Sequence, residues 1–224
     1  MYVDKDFNYI DDLLKIRFST RLFRKIVNTL TNRIFTISDA VKDQYVSLFP
    51  GVARKIETRY LGSLPNNHSP FLSRSKLNVP DDKLIIGVVC FNSPIKGMDI
   101  LLEAVKILKD KFQYNDFIVY QVGIDPLDTD NKHFMDACRD MGIEAFIKWM
   151  GIRNDVPELL PGMDIYCQPS RSEGLGFSII EAGLAGLPIV GTRIGGIPEI
   201  VQEGFNGLLF EKENANELAE QLFR

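Results

Sequence analysis

The order of apolar and amphipathic segments predicts an α/β protein, a doubly wound parallel sheet with helices on both faces. Three observations point to this class. From residue 84 onward short apolar runs recur, at 84–89, 117–122, 146–150, 163–167, 187–190 and 207–210. Most are apolar at consecutive positions, so both faces of each strand are buried, as in a sheet covered on each side. Between them lie stretches with apolar residues at helical spacing: 98–112, 132–141, 156–160, a segment opening at Phe177, a turn-helix at Ile197, and 214–223. Strands alternating with helices of this length are crossover units of a parallel sheet. Glycine-rich turns, Gly174-x-Gly176 and Gly195-Gly196, punctuate the last third.

Upstream the pattern is looser. Residues 1–10 carry no clear periodicity. Residues 11–30 place Leu13, Leu14, Ile16, Leu22, Phe23, Ile26, Val27 and Leu30 near helical spacing, with Arg17, Arg21, Arg24 and Lys25 among them. Such a helix either turns its apolar stripe to a core or lies on a membrane surface. Residues 33–37 read as a short strand, Ser38 as the N-cap of a helix over 39–48, and Pro50-Gly51 as its stop. A further strand is expected within 56–61, and residues 66–70 (NNHSP) have the turn chemistry of a linker. Two parts are therefore expected: a small α/β domain with linker over 1–78 and a larger domain over 79–224.

Composition narrows the classes. The chain has 224 residues, 45% of them hydrophobic, with no low-complexity excess. Cys90, Cys138 and Cys167 have no metal-ligand spacing, so reduced thiols in a cytoplasmic protein are expected, and no metal. No apolar run is long enough to cross a bilayer, and no signal peptide is evident. The net charge of −4 is uneven, +4 over residues 1–60 and −8 over 61–224. The basic part is either a solvated surface or a peripheral contact for anionic lipid headgroups at the inner face of a membrane. No nucleic-acid partner is expected. His68 in a loop and His133 on a surface helix lack a sequence neighbour that would make either a general base.

The candidate site lies at strand ends, where ligands bind in open α/β sheets. The turn from Ser170 to Gly176 leaves an apolar strand and enters a helix. Its glycines allow close backbone approach, and the first helical N–H groups with the dipole suit an anion. Glu173 in the turn and Glu181 in the helix accept hydrogen bonds only, which suits hydroxyl groups rather than phosphate. The bland alternative is a tight turn with an acidic first turn and no ligand. In the loop after residue 89, Lys96-Gly97 precedes a helix. Lys96 is either a surface lysine at a helix start or a point charge that reaches a diphosphate; because the helix dipole opposes a cation there, the second reading is slightly favoured. In the loop 151–155, Arg153 and its neighbours either hold a base or form a plain connection with Asp155 capping the next helix.

Taken together, Lys96-Gly97, Gly151 with Asp155, Asp164, Pro169-Ser170, Glu173-Gly174-x-Gly176, Glu181-Ala182, Gly186-x-Pro188 and Gly195-Gly196-x-Pro198-Glu199 stand in an order and spacing that resemble the donor-binding half of retaining GT-B glycosyltransferases of family 4, glycosyl transferases group 1. The pair Glu173 and Glu181 resembles that family's signature, and 33–41 is weakly similar to the end of its acceptor-side domain. The resemblance implies a Rossmann-like donor domain preceded by a truncated acceptor-side domain. It implies transfer of a hexose from a UDP- or GDP-sugar, with retention, to a saccharide or lipid-linked acceptor in polysaccharide or glycolipid assembly. No cofactor is implied. Catalytic roles would fall to Glu173, on the sugar hydroxyls, and Lys96, on the diphosphate. The amides of Gly174, Leu175, Gly176 and Phe177, with Ser178, would cradle phosphate and sugar. Glu181 would bind ribose, and Ile152 and Arg153 would lie against the base.

Two departures stand out. Phe91 occupies the position where the family usually has an arginine beside the diphosphate; Arg171 or Arg193 are the candidates to supply that charge. Fewer than about 80 residues precede the donor half, so a nucleotide-sugar-binding fragment without turnover is the alternative function. A dehydrogenase reading is weaker, because 91–97 (FNSPIKG) is no Gly-x-Gly-x-x-Gly turn.

Overall fold

The computed structural model describes residues 18–64, 68–78 and 82–224. The part of the 11–30 helix before Phe18, and Asn66-Asn67 of the linker, lie outside these. The N-terminal elements are α1 (Phe18–Leu30), β1 (Ile34–Thr36), α2 (Asp39–Leu48), β2 (Ile56–Thr58) and α3 (Pro70–Leu77). The larger part runs β3 (Leu84–Val89), α4 (Met98–Asp110), β4 (Phe117–Val122), α5 (Lys132–Asp140), β5 (Ile147–Trp149), α6 (Val156–Leu159), β6 (Ile165–Gln168), α7 (Phe177–Leu184), β7 (Ile189–Thr192), α8 (Ile197–Ile200), β8 (Gly207–Phe210) and α9 (Ala215–Phe223).

The α/β class is as the sequence predicts. β1 and β2 form a two-stranded parallel sheet; β3 to β8 form a six-stranded parallel sheet in the order β5-β4-β3-β6-β7-β8. The chain winds outward from β3 through β4 to β5, then returns to β3's other side and winds through β6 and β7 to β8. The strand order therefore reverses between β3 and β6, where the loops leaving the two strands diverge and open a crevice.

Both faces of this sheet are covered. On one, α4, α5 and α9 pack through Leu101, Leu108, Cys138 and Leu218 against Val88, Val119 and Phe210. On the other, α3, α6, α7 and α8 pack through Leu77, Leu159, Ile179 and Ile197 against Ile85, Tyr166 and Ile189. The alternating residues of β3, Ile85 and Ile86, are 0% and 1% exposed, which accounts for the unbroken apolar run. No described helix is long and apolar enough to cross a membrane.

Around α2 the N-terminal elements meet the larger part through polar contacts. Ser38 caps α2 as expected, accepting from the Val41 N–H at 3.2 Å, while its hydroxyl donates to the Gly174 carbonyl at 2.6 Å. The Glu199 carboxylate accepts from the Asp39 and Ala40 N–H groups at 2.9 and 2.8 Å, and from the Tyr60 hydroxyl at 2.7 Å. A carboxylate at a helix start satisfies orphan amides and faces the favourable end of the dipole.

α3 has no counterpart in the sequence reading, which has only linker there. Its sequence PFLSRSKL shows little helical periodicity. Tertiary contacts fix it instead. Arg74 Nη1 donates to both Asp164 oxygens, at 3.1 and 3.0 Å, Nη2 donates to the Lys83 carbonyl at 2.8 Å, and Asp164 also accepts from the Ile85 N–H at 2.7 Å. Gly162 lies where a Cβ would come within 2.6 Å of the Ser73–Arg74 backbone, so only glycine admits this helix so close. Removing Arg74 leaves Asp164 and a carbonyl short of donors. Arg74→Ala is expected to lower the unfolding free energy by about 1–3 kcal/mol in denaturant titration; no change would show that α3 is not anchored this way.

Candidate functional site

The site grows from the two loops at the strand-order reversal. β3 leads into 90–97, where residues Pro94–Lys96 make one 3-10 turn and Gly97 adopts a left-handed backbone, φ 64°. A Cβ at Gly97 would lie 1.8 Å from the Pro169 carbonyl oxygen, so the glycine lets this loop touch the one leaving β6. Across that contact, Lys96 Nζ lies 2.9 Å from Glu173 Oε2, with the two side chains 17% and 14% exposed. A largely buried ion pair needs further hydrogen bonds to hold it.

These come from Gln168, at the end of β6. Its amide nitrogen donates to Ser170 Oγ at 2.8 Å and to Glu173 Oε2 at 3.3 Å. Its oxygen accepts from the Tyr166 hydroxyl at 2.9 Å and from Ser178 Oγ at 3.1 Å. Gln121, at the equivalent place on β4, donates to the Cys90 carbonyl at 2.7 Å and accepts from the Ile124 N–H at 3.0 Å, and so fastens the start of the Lys96 loop. The sequence reading has neither glutamine. A signal for them exists: each is a polar residue near the C-terminal end of an otherwise apolar strand, where its amide must find partners in the loops.

The Gly195-Gly196 turn backs the other side. A Cβ at Gly195 would come within 1.9 Å of the Glu173 carbonyl oxygen, and one at Gly196 within 2.5 Å of that of Gly174. Gly176, φ 91°, opens α7 without a side-chain cap. The Ile179 and Ile180 amides turn back to the Gly176 carbonyl, whereas those of Phe177 and Ser178 have no protein acceptor among the described residues. These two amides remain available to an anion.

Two cavities flank Lys96. One, of 390 Å³, is walled by Phe91, Lys96, Val122, Gly123, Ile152 and Arg153. The other, of 360 Å³, is walled by Lys96, Ser172, Glu173 and Gly174 on one side and by Arg24, Gln44 and Tyr45 of α1 and α2 on the other. Each is of small-molecule size. Phe91 is 60% exposed, its ring centroid 5.9 Å from Lys96 Nζ, so an aromatic face borders the ammonium. Burial pushes the Cys90 thiol beside this cavity up to about 11, which keeps it neutral. Among the described residues no group of three His, Cys, Asp or Glu is placed to hold a metal.

The candidate residues divide accordingly. Lys96, Glu173, Gly174 and Ser178 come together around Gln168 and the two cavities. Arg153 shares the first cavity with Lys96, but its guanidinium forks onto Asp155 at 2.8 and 2.7 Å. Asp155 does not cap α6 with its side chain; it takes Arg153 and Lys76 instead, which corrects the capping alternative. Leu175 is buried, leaving only its backbone for a ligand, and Phe177 is 45% exposed. Glu181 walls neither cavity. It lies three residues after Ser178 on α7, hence on the same helix side. Its carboxyl has no hydrogen-bond partner among the described residues, and burial holds its pKa above the ordinary value.

The two arginines expected to replace the charge lost at Phe91 do not do so. Arg171 spends its guanidinium on Asp99, Glu213 and the Pro94 carbonyl. Arg193 pairs with Glu203 and Glu211. Neither walls either of the two cavities beside Lys96.

A parallel sheet that carries its charged contact at the strand-order reversal is a ligand-binding α/β scaffold. Comparison with known proteins identifies which one: residues 82–224 match the model of the glycosyl transferases group 1 family, and the chain belongs to it. It is 28% identical over 211 residues to an uncharacterized glycosyltransferase of Methanocaldococcus jannaschii, covering 94% of this chain and 54% of that protein. It is 26% identical over 204 residues to the D-inositol 3-phosphate glycosyltransferase of Corynebacterium kroppenstedtii, covering 86% and 45%. Anabaena HepE, crystallised with UDP and glucose, superposes with a TM-score of 0.76 at 27% identity, over 88% of this chain and 54% of that one. The chain thus spans about half the length of the relatives it matches.

An unpartnered, desolvated carboxyl destabilises the fold once ionised. Because the folded-state pKa of Glu181 is raised from 4.5, the penalty is absent below the unfolded value, grows as pH rises toward the folded value, and is complete above it. Glu181→Gln should therefore raise Tm at pH 7 and leave it unchanged near pH 4; equal melting at both would show that the carboxyl is fully solvated.

Proposed function

We propose that this chain binds the donor of a retaining glycosyltransferase that moves a hexose from a nucleotide diphosphate sugar to a saccharide or lipid-linked acceptor. The observation that carries this reading is the Lys96–Glu173 contact, placed between two small-molecule cavities and beside the open N-terminus of α7. In the chain alone, the ammonium neutralises the carboxylate. A diphosphate entering the crevice offers Lys96 a more highly charged partner and releases Glu173 to accept hydroxyl hydrogen bonds from the sugar.

The nucleoside then occupies the 390 Å³ cavity, against Phe91 and Ile152. Glu181, with no protein partner among the described residues, takes the ribose hydroxyls. As the bond to the anomeric carbon breaks, negative charge builds on the departing diphosphate. Lys96 and the free amides of Phe177 and Ser178 stabilise it without rearranging, which is electrostatic catalysis by preorganised donors. With the leaving group held on one side of the sugar, retention requires that the acceptor approach from that same side. The cavity between Glu173 and α2, with Gln44 and Tyr45 on its far wall, is where we place it. The HepE complex with UDP and glucose favours a UDP-sugar over a GDP-sugar. Polysaccharide or glycolipid assembly is the setting we propose.

Binding without turnover is the second reading. What favours it is the slightness of the acceptor wall: the described N-terminal part holds only a two-stranded sheet.

Calorimetric titration with UDP, GDP and ADP tests the donor site. UDP is expected to bind, with Lys96→Ala and Glu181→Ala each weakening it 10-fold or more, equivalent to about 1.4 kcal/mol. Wild-type protein that binds none of the three would overturn the reading. In a transfer assay with UDP-hexose, Glu173→Ala should cut kcat far more than UDP affinity, whereas equal small effects would remove Glu173 from the sugar. Binding with no product from any acceptor would favour the second reading.

A further inference from the structure

Arg171 is 4% exposed, although an isolated charge is costly to bury. The chain compensates fully. Nε and Nη2 donate to the two Glu213 carboxylate oxygens at 2.6 and 2.8 Å. Nη1 and Nη2 donate to the two Asp99 oxygens, each at 2.7 Å. Nη1 also donates to the Pro94 carbonyl at 2.9 Å. A guanidinium has five N–H groups, and these contacts occupy all of them. The backbone N–H of the same residue donates to the Ile95 carbonyl at 2.7 Å.

What matters is where these partners lie. Pro94 and Ile95 are the two residues before Lys96, and Asp99 is the third after it. Arg171 itself stands two residues before Glu173. One side chain therefore holds the Lys96 loop from both ends and ties it to the loop that carries Glu173. The third partner, Glu213, has a left-handed backbone, φ 62°, just before α9. That conformation is uncommon for a residue with a side chain and persists only where surrounding contacts impose it. The lysine needs such a frame. Its stem has four rotatable carbons and it sits on a single 3-10 turn, so its ammonium is only as well placed as the loop beneath it.

We propose that Arg171 is a positioning residue: by clamping Pro94 and Asp99 on one side and Glu213 on the other, it sets where Lys96 meets the diphosphate, without touching the ligand. This rests on the reading that the crevice binds a nucleotide diphosphate. A merely structural arginine would, when lost, weaken every ligand alike. A clamp on Lys96 affects chiefly the phosphate that Lys96 holds.

The test compares UDP with UMP by calorimetry in wild type, Arg171→Met and Arg171→Lys. UMP reports on base, ribose and first phosphate; UDP adds the terminal phosphate. The ratio of UDP to UMP affinity is expected to fall about 10-fold in Arg171→Met, and Arg171→Lys, which keeps the charge but loses the fork, should recover only part of it. A ratio unchanged in both variants, whether affinities hold or fall together, would overturn the proposal. Should Arg171→Met not fold, Asp99→Asn removes one ionic partner from the Lys96 side alone, with the same expected direction. Hydrogen–deuterium exchange, measured without nucleotide, tests the clamp independently of binding. Residues 93–99 and 170–176 should both exchange faster in Arg171→Lys while β3 and β4 keep their protection; unchanged exchange in both loops counts against the clamp. Wild-type protein that binds neither UDP nor UMP would sink the functional reading, and the exchange result then decides the clamp by itself.

Discussion

The loops leaving β3 and β6 face each other across the point where the sheet reverses its order, and the Lys96–Glu173 ion pair spans them. Much of the surrounding structure keeps that pair in place. Gly97 lets the two loops touch, Gln168 gives the largely buried Glu173 carboxylate a hydrogen bond, and Gly195-Gly196 presses against its backbone. A buried lysine–carboxylate contact is close to balanced between attraction and desolvation, so a more highly charged anion can displace it at modest cost.

The N-terminal elements extend the same arrangement. Ser38 bonds the Gly174 carbonyl and Glu199 caps the start of α2. α2 thus approaches the glycine turn and forms the far wall of the second cavity. These contacts are directional and polar.

Several parts of this are legible in sequence. Strands buried on both faces announce themselves by unbroken apolar runs, and Ser38 caps α2 where the residue order puts it. For Lys96 and Glu173 the sequence supports a shared crevice but not their pairing, because the residues lie 77 positions apart and the sheet order brings them together. α3 is not legible: FLSRSKL has no apolar stripe, and its helix depends on Arg74 reaching Asp164. Arg171 reads in sequence as a spare cation near the site. Nothing local to it shows that Asp99 and Glu213, from opposite directions in the chain, take its charge. Its position after the glycine turn and its acceptor-only chemistry suggest hydroxyl binding for Glu181, and resemblance alone narrows that to ribose; the structure gives it a solitary, desolvated carboxyl but no place on the wall of either cavity beside Lys96.

The most direct test of the proposed exchange of partners at Lys96 is a crystal structure of the chain with UDP bound. Lys96 Nζ is expected to move from Glu173 to within hydrogen-bond distance of a terminal phosphate oxygen, with the amides of Phe177 and Ser178 on the same group. UDP lodged elsewhere, or phosphates in the crevice with Lys96 still paired to Glu173, would contradict it.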